Sequence, residues 1–340
     1  MRHTLYIIAT LWAAICIFPA CSGSSSGKGE KAITTATNAT SSECLNFSAD
    51  SAYKSIVVQC DMGPRVPGSE ASARCATWIA ERFGTYGGSV SFHKTSVVTW
   101  DGTSVPCTNI VASISPQASR RILLCAHWDS RPWADNDADE TNHHTPVLGA
   151  NDGASGVAVM LEIARLLQQS PLKNVGVDFV CFDVEDMGTP GWAEPTDPEQ
   201  ETWCLGSKAW CEKMARIGYK AQFGILLDMV GGRGASFARE QVSMHVAADI
   251  VTRVWKMAQH RGYGQFFPST KGGMLIDDHV NVNTIADIPC IDIVPHHTDG
   301  PSSFGPTWHT IYDTPENIDP VVLKAVGETI LYVLLEEDGQ

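Results

Sequence analysis

GVAVMLEIARLLQQSPLKNVGVDFVCF, residues 156–182, changes its periodicity half-way along. Over 156–169, Val157, Met160, Leu161, Ala164 and Leu167 fall on one face of a 3.6-residue repeat, which predicts an amphipathic helix. Over 175–182 the apolar residues run without alternation, in a stretch too short for a helix. That is the pattern of a strand buried on both faces. RILLCA (121–126), GILLDMV (224–230) and IPCIDIV (288–294) repeat it. Helices alternating with doubly buried strands predict an α/β fold: a single domain with a central, twisted, mixed but mostly parallel sheet, flanked by helices on both faces. Two β-branched runs, 90–98 and 105–114, are separated by the turn-like DGTS and add an antiparallel pair. Residues 69–87 read as a further helix, capped by Ser69 and stopped by glycines.

The rest of the chain sets limits on this reading. Residues 1–21 carry Arg2 and His3, an apolar stretch from Leu5 to Pro19, and small Ala20 before Cys21, the layout of a lipoprotein export signal. The expectation is an exported, periplasmic protein, anchored through a lipid on Cys21. Residues 22–42 are rich in Ser, Gly, Thr, Ala and Lys and read as a flexible tether, leaving 43–340 as the catalytic domain. A net charge of -14 excludes binding to a nucleic-acid backbone, which needs clustered Lys and Arg. It suits cationic partners such as a peptide's α-amine. Among the eleven cysteines, Cys125, Cys181 and Cys290 lie in apolar strands and read as core, whereas Cys204 and Cys211, or Cys44, Cys60 and Cys75, are candidates for pairing. Trp100, Trp210 and Trp255 read as plain core. Asn38 and Asn46 fit a glycosylation pattern by chance, given the bacterial type of signal.

In parallel sheets ligands gather beyond the carboxyl ends of the strands. Those ends carry His127 in AHWDS, Asp152 in GANDGASG, Glu185 and Asp186 in FDVEDMG, Asp228 in LLDMVGG, Asp277 in IDDH and His309 in WHTIYDT. Each alone has a bland explanation as a helix cap or a hydrogen-bonded side chain. A ring of them at one sheet edge is a candidate site for zinc, which takes His nitrogen and carboxylate oxygen and keeps one position open in catalytic centres. Adjacent Glu185 and Asp186 let one carboxylate bind metal while the other moves protons.

The blocks AHWDSRPWAD, GANDGASGVAVMLEIAR, FDVEDMG, WCLGSKAW, ILLDMVGG, DDHV and FGPTWHTIYDTPENID resemble the zinc aminopeptidase-like peptidases, and within them the glutaminyl cyclases, over most of residues 44–335. The resemblance implies a single zinc ion on Asp152, Asp186 and His309, with Glu185 as general base and acid. It implies that Asp228 and Asp277 form an acidic pair that positions substrate, and that Trp192, Phe304 and Trp308 form an aromatic wall. The implied substrates are peptides and proteins with N-terminal glutamine, converted to pyroglutamate with release of ammonia; a monomer is the expected state. Within the same clan the alternative is a di-zinc aminopeptidase, in which His127 and Asp228 take a second metal; with one zinc, His127 orients the site by hydrogen bonds. A metal-binding lipoprotein without turnover is a third reading, disfavoured by the intact base.

Overall fold

The computed structural model describes residues 45–300 and 302–340. The predicted export signal and Cys21, most of the tether-to-domain junction, and Cys44 lie outside the described residues. Six strands form one sheet: β1 (Ser89–Val98), β2 (Ser104–Ile114), β3 (Arg120–His127), β4 (Val175–Phe182), β5 (Phe223–Leu227) and β6 (Cys290–Ile293), in the order β1-β2-β4-β3-β5-β6. The β1, β2 and β4 pairings are antiparallel; β4, β3, β5 and β6 are mutually parallel. The mixed, mostly parallel sheet read from the sequence is the one observed.

The buried runs are explained by side-chain alternation. Ile122, Leu124 and Ala126 of β3 join the larger apolar core, while Leu123 and Cys125 join a second core on the other face. The larger core packs α1 (Ala49–Asp61), α2 (Glu70–Thr85) and α3 (Ala154–Gln169) with the C-terminal helix. The second packs α4 (Leu205–Ile217) through Trp210 and Cys211; the next two helices are α5 (Gln241–Val246) and α6 (Ala248–His260), and α7 (Asp278–Thr284) joins α4 through Val282. Asp178, the one charge within β4, is tolerated because Arg121 grips both its oxygens at 2.6 Å.

The structure departs from the sequence reading at four points. The 224–230 run is strand only to Leu227, because Met229 takes a left-handed conformation, φ 51°, and turns the chain out of the sheet. The nineteen-residue helix α8 (Pro320–Asp338) was not singled out in the sequence, although Asp319 caps it and Pro320 opens it. Cys204 and Cys211 do not pair: both are free, as are Cys60 and Cys75. Trp210 and Trp255 are core as expected, whereas Trp100 is half-buried. Among the described residues no helix is long and apolar enough to cross a membrane.

Candidate active site

Strand order creates the site. The connection from β3 through α3 leads to β4 on one side, and the next strand, β5, pairs with β3 on the other. The crevice at this reversal opens beyond the carboxyl ends of β3, β4 and β5. His127 ends β3, Asp183 to Asp186 follow β4, and Asp228 follows β5. Asp152 enters from the turn before α3, whose Gly153 has φ +83°; a Cβ there would lie 2.6 Å from the Asp129 carbonyl oxygen, so glycine is required.

Asp152, Asp186 and His309 offer ligand atoms all within 4.8 Å of one another. His309 Nε2 is 3.0 Å from Asp186 Oδ1 and 3.6 Å from Asp152 Oδ2. Asp152 Oδ2 and the second oxygen of Asp186 are buried and accept no hydrogen bond. Buried carboxylate oxygens left without a donor are costly, and a cation is the partner that suits two of them beside an imidazole. The donor set therefore fits zinc. Burial and the adjacent Asp186 push the Asp152 carboxyl up to about 7, whereas Asp186, although burial raises it, is held below the ordinary value by His309.

Glu185 faces the same space from the neighbouring position. Burial, and then the Asp186 charge, raise its carboxyl well above the ordinary range, the property a proton-transferring carboxyl needs. Its backbone is clamped: Asp129 accepts from the backbone N–H of Glu185 at 3.2 Å and of Asp186 at 3.1 Å, and the Cys204 thiol donates to Glu185 Oε1 at 3.3 Å. Val184, Cys204, Met229 and His309 all adopt φ between 51° and 55°, a conformation unfavourable for residues with a Cβ. Four such residues around one crevice mark where the fold accepts strain to aim side chains.

His127 Nε2 lies 2.9 Å from Asp152 Oδ1 and 3.1 Å from Asp228 Oδ1, with Nδ1 3.4 Å from Asp129 Oδ1. Burial would lower its pKa, but the carboxylates of Asp129, Asp152 and Asp228 outweigh this and raise it. Asp277 caps α7 and faces the crevice; burial, then Asp228, raise its carboxyl. The crevice holds a cavity of about 400 Å³ lined by these acids with Trp203, Met274, Leu275, Ile276, Phe304, Trp308 and His309.

Of the three residues expected in the aromatic wall, two, Phe304 and Trp308, line the cavity. Phe304 packs on Trp308 at 4.7 Å, and Trp308 stacks on His309 at 3.9 Å. Trp192 does not line the cavity; it is 43% exposed and packs against His144 and Trp133. Its place is taken by Trp203, parallel to His309 at 5.8 Å. Sequence reasoning also passed over Asp129 and Asp313, although both stood inside quoted blocks. Asp313 accepts from the backbone N–H groups of Asn151 and Asp152, at 2.8 and 3.0 Å, and so fixes the turn that carries a ligand candidate. Asp135, gripped by Arg131, stands 3.6 Å from His309 Nδ1.

The model of peptidase family M28 matches residues 109–334. The structure of a glutaminyl cyclase from Tannerella forsythia superposes with a TM-score of 0.82 at 48% identity, covering 85% of this chain and 98% of that one. A Zn-dependent exopeptidase from Parabacteroides distasonis does so with a TM-score of 0.82 at 42% identity, over the same shares of the two chains. Among curated relatives, a glutaminyl-peptide cyclotransferase of Gloydius blomhoffii is 25% identical over 261 residues, which is 67% of this chain and 65% of that protein. The chain thus spans just under two thirds of the length of that curated relative.

Proposed function

The chain belongs to peptidase family M28, and we propose that it acts there as a glutaminyl cyclase, closing N-terminal glutamine to pyroglutamate and releasing ammonia. The observation that carries this reading is the crowding of His309 by indoles, Trp308 at 3.9 Å and Trp203 at 5.8 Å, with Phe304 behind Trp308. These rings give the cavity beside the metal-ligand candidates an apolar wall, which suits a reaction whose nucleophile belongs to the substrate rather than to water. The cyclase from Tannerella forsythia supports it as the relative of highest identity described above.

Asp152, Asp186 and His309 would hold a single zinc ion. Bound there, zinc supplies a Lewis acid for the γ-amide carbonyl. The α-amine and the γ-carbon belong to one residue, so the cavity's task is to hold them in a reactive pose, a contribution worth about 7–11 kcal/mol at best. Glu185 takes a proton from the attacking amine and delivers it to the departing nitrogen. A carbon–nitrogen bond forms to the amine, another breaks, and the amide nitrogen leaves as ammonia. The carboxylates of Asp228 and Asp277 orient the amine beside Glu185. Peptides and proteins with N-terminal glutamine are the substrates, and export with a lipid on Cys21 is the placement we infer from residues 1–21.

One observation favours a second reading: His127, Asp152 and Asp228 form another three-donor group, as a di-zinc aminopeptidase requires. Incubation with zinc and either a glutaminyl peptide or a leucyl arylamide separates the two. Ammonia release with a blocked N-terminus supports the cyclase. Free arylamine without cyclisation, with two zinc ions per chain, overturns it.

A further inference from the structure

The backbone of Glu185 is held from both sides. Asp129 accepts from its N–H at 3.2 Å, and its carbonyl oxygen accepts from the N–H of Cys204 at 3.1 Å. What remains free is rotation within the side chain, and that rotation decides which carboxyl oxygen meets a substrate. Oε1 accepts from the Cys204 thiol at 3.3 Å, whereas Oε2 comes no closer than 3.9 Å to His127 Nδ1, beyond hydrogen-bond reach. Among the described residues, the thiol is therefore the one hydrogen-bond donor on this carboxyl. Asp277 offers an atom within 4.8 Å of both groups, so an untied Glu185 has a competing carboxyl in reach.

The fold holds Cys204 in place for that contact. The residue opens α4 in a left-handed conformation, φ 55° and ψ 31°, which disfavours any side chain with a Cβ. The thiol does not cap the helix that it begins, and it forms no disulfide. Its carbonyl oxygen accepts from Ser207 Oγ at 2.9 Å within α4 and from Asn281 Nδ2 at 3.1 Å in α7. The next residue, Leu205, donates from its N–H to the Val184 carbonyl at 3.1 Å. Two helices and the loop after β4 thus hold a strained residue whose side chain serves the base instead of its own helix. Cys204 is 2% exposed. Burial first, then the charges of Glu185, Asp278 and Asp277, hold the thiol well above its ordinary pKa, so it keeps its proton and acts as a donor.

We propose that Cys204 is a positioning residue for Glu185: its thiol pins Oε1, so that Oε2 alone takes the proton from the attacking amine and hands it to the departing nitrogen. The thiol proton stays on sulfur throughout, and no bond to sulfur forms or breaks. The assignment rests on Glu185 as the base, a role that the cyclase and aminopeptidase readings share, and on the cyclase reading only for the identity of the amine.

The test is a donor series at position 204 in the zinc-loaded full chain. Cys204→Ala removes the donor; kcat on a glutaminyl peptide should fall about tenfold with KM within about twofold, since the base is misaimed while the binding groups are untouched. Cys204→Ser returns a donor and should recover to within about threefold of the parent. A sulfur that merely fills apolar space predicts the reverse order, because alanine stays apolar whereas serine buries a hydroxyl. Parental kcat in Cys204→Ala, or a Cys204→Ser no better than Cys204→Ala at equal zinc content and melting temperature, overturns the proposal. Should neither variant fold, the infrared S–H stretch decides. Glu185→Ala should move one thiol band to higher frequency relative to the parent, as loss of an acceptor requires, and an unmoved spectrum sinks the contact. Running the series on a leucyl arylamide separates the proposal from the cyclase reading: a parent active only there defeats the cyclase, while the order of the variants still judges the thiol. A parent that turns over neither substrate leaves Glu185 with no proton to move and overturns the role as well.

Discussion

The Trp203 indole lies nearly parallel to the His309 imidazole, their centroids 5.8 Å apart and the angle between their planes 8°. The guanidinium carbon of Arg131 is 4.5 Å from the Trp203 ring centre, and Arg131 also grips Asp135, which faces the other nitrogen of His309. The ligand candidate is thus oriented by a cation, a carboxylate and two indoles rather than by its own helix or strand, since it occupies a loop.

Trp203→Ala should consequently loosen His309. Aromatic pairs contribute about 0.5–1.5 kcal/mol beyond area burial, so kcat/KM is expected to fall about three- to tenfold, with Trp203→Phe losing less. Steady-state kinetics on a glutaminyl peptide checks this; equal losses in both variants would mean that something other than ring stacking is at stake.

Glu185→Gln keeps the shape and the Cys204 contact but removes the transferable proton. Turnover should drop by about 10²–10⁴-fold while zinc content stays at the parental level. Activity measured alongside atomic emission on the same sample is the check, and parental turnover would strip Glu185 of its role as base.

Chelation should abolish activity and lower the melting temperature, because Asp152 and Asp186 then confront each other in a buried site with unpartnered oxygens. At a thousandfold excess of zinc over its Kd the linkage is worth about 4 kcal/mol, which calorimetry before and after zinc addition can read. Asp152→Ala should bind less zinc and lose most of this shift. A melting temperature indifferent to chelator would argue against an ion on these residues.

Glu240 gives a pH dependence of defined sign. Its carboxyl is depressed from the ordinary 4.5 to about 2, so its contribution to stability is fully present above about 4.5 and is lost as pH falls toward about 2. Glu240→Gln should cost about 3 kcal/mol at neutral pH, and the difference from the parent should shrink with acidification. Urea unfolding at pH 7 and pH 3 measures both; a gap that widens in acid would reverse the assignment.

Much of the architecture was legible because its signals are local. Continuous apolar runs located β3 and β4 to within one residue, and the 3.6-residue spacing located α3. The resulting strand ends pointed to His127, Glu185, Asp186 and Asp228. Where a run spoke ambiguously, as at 224–230, the strand stopped early because a left-handed Met229 redirects the chain. Nothing in residue type distinguishes that methionine from its neighbours.

Side-chain partnerships across the fold were a different matter. Asp186 and His309 lie 123 residues apart, and Asp152 is held by Asp313 from 161 residues away. The sequence reading placed Trp192 in the aromatic wall and passed over Trp203, yet Trp192 is turned to the surface and Trp203 to the metal-ligand candidates. Periodicity and strand ends are encoded in short stretches, since burial on one or both faces constrains each residue where it stands. Which carboxylate clamps a backbone, which indole reaches the imidazole and which acids share a dry pocket depend on loop paths and sheet order, and these exist only once distant segments have packed.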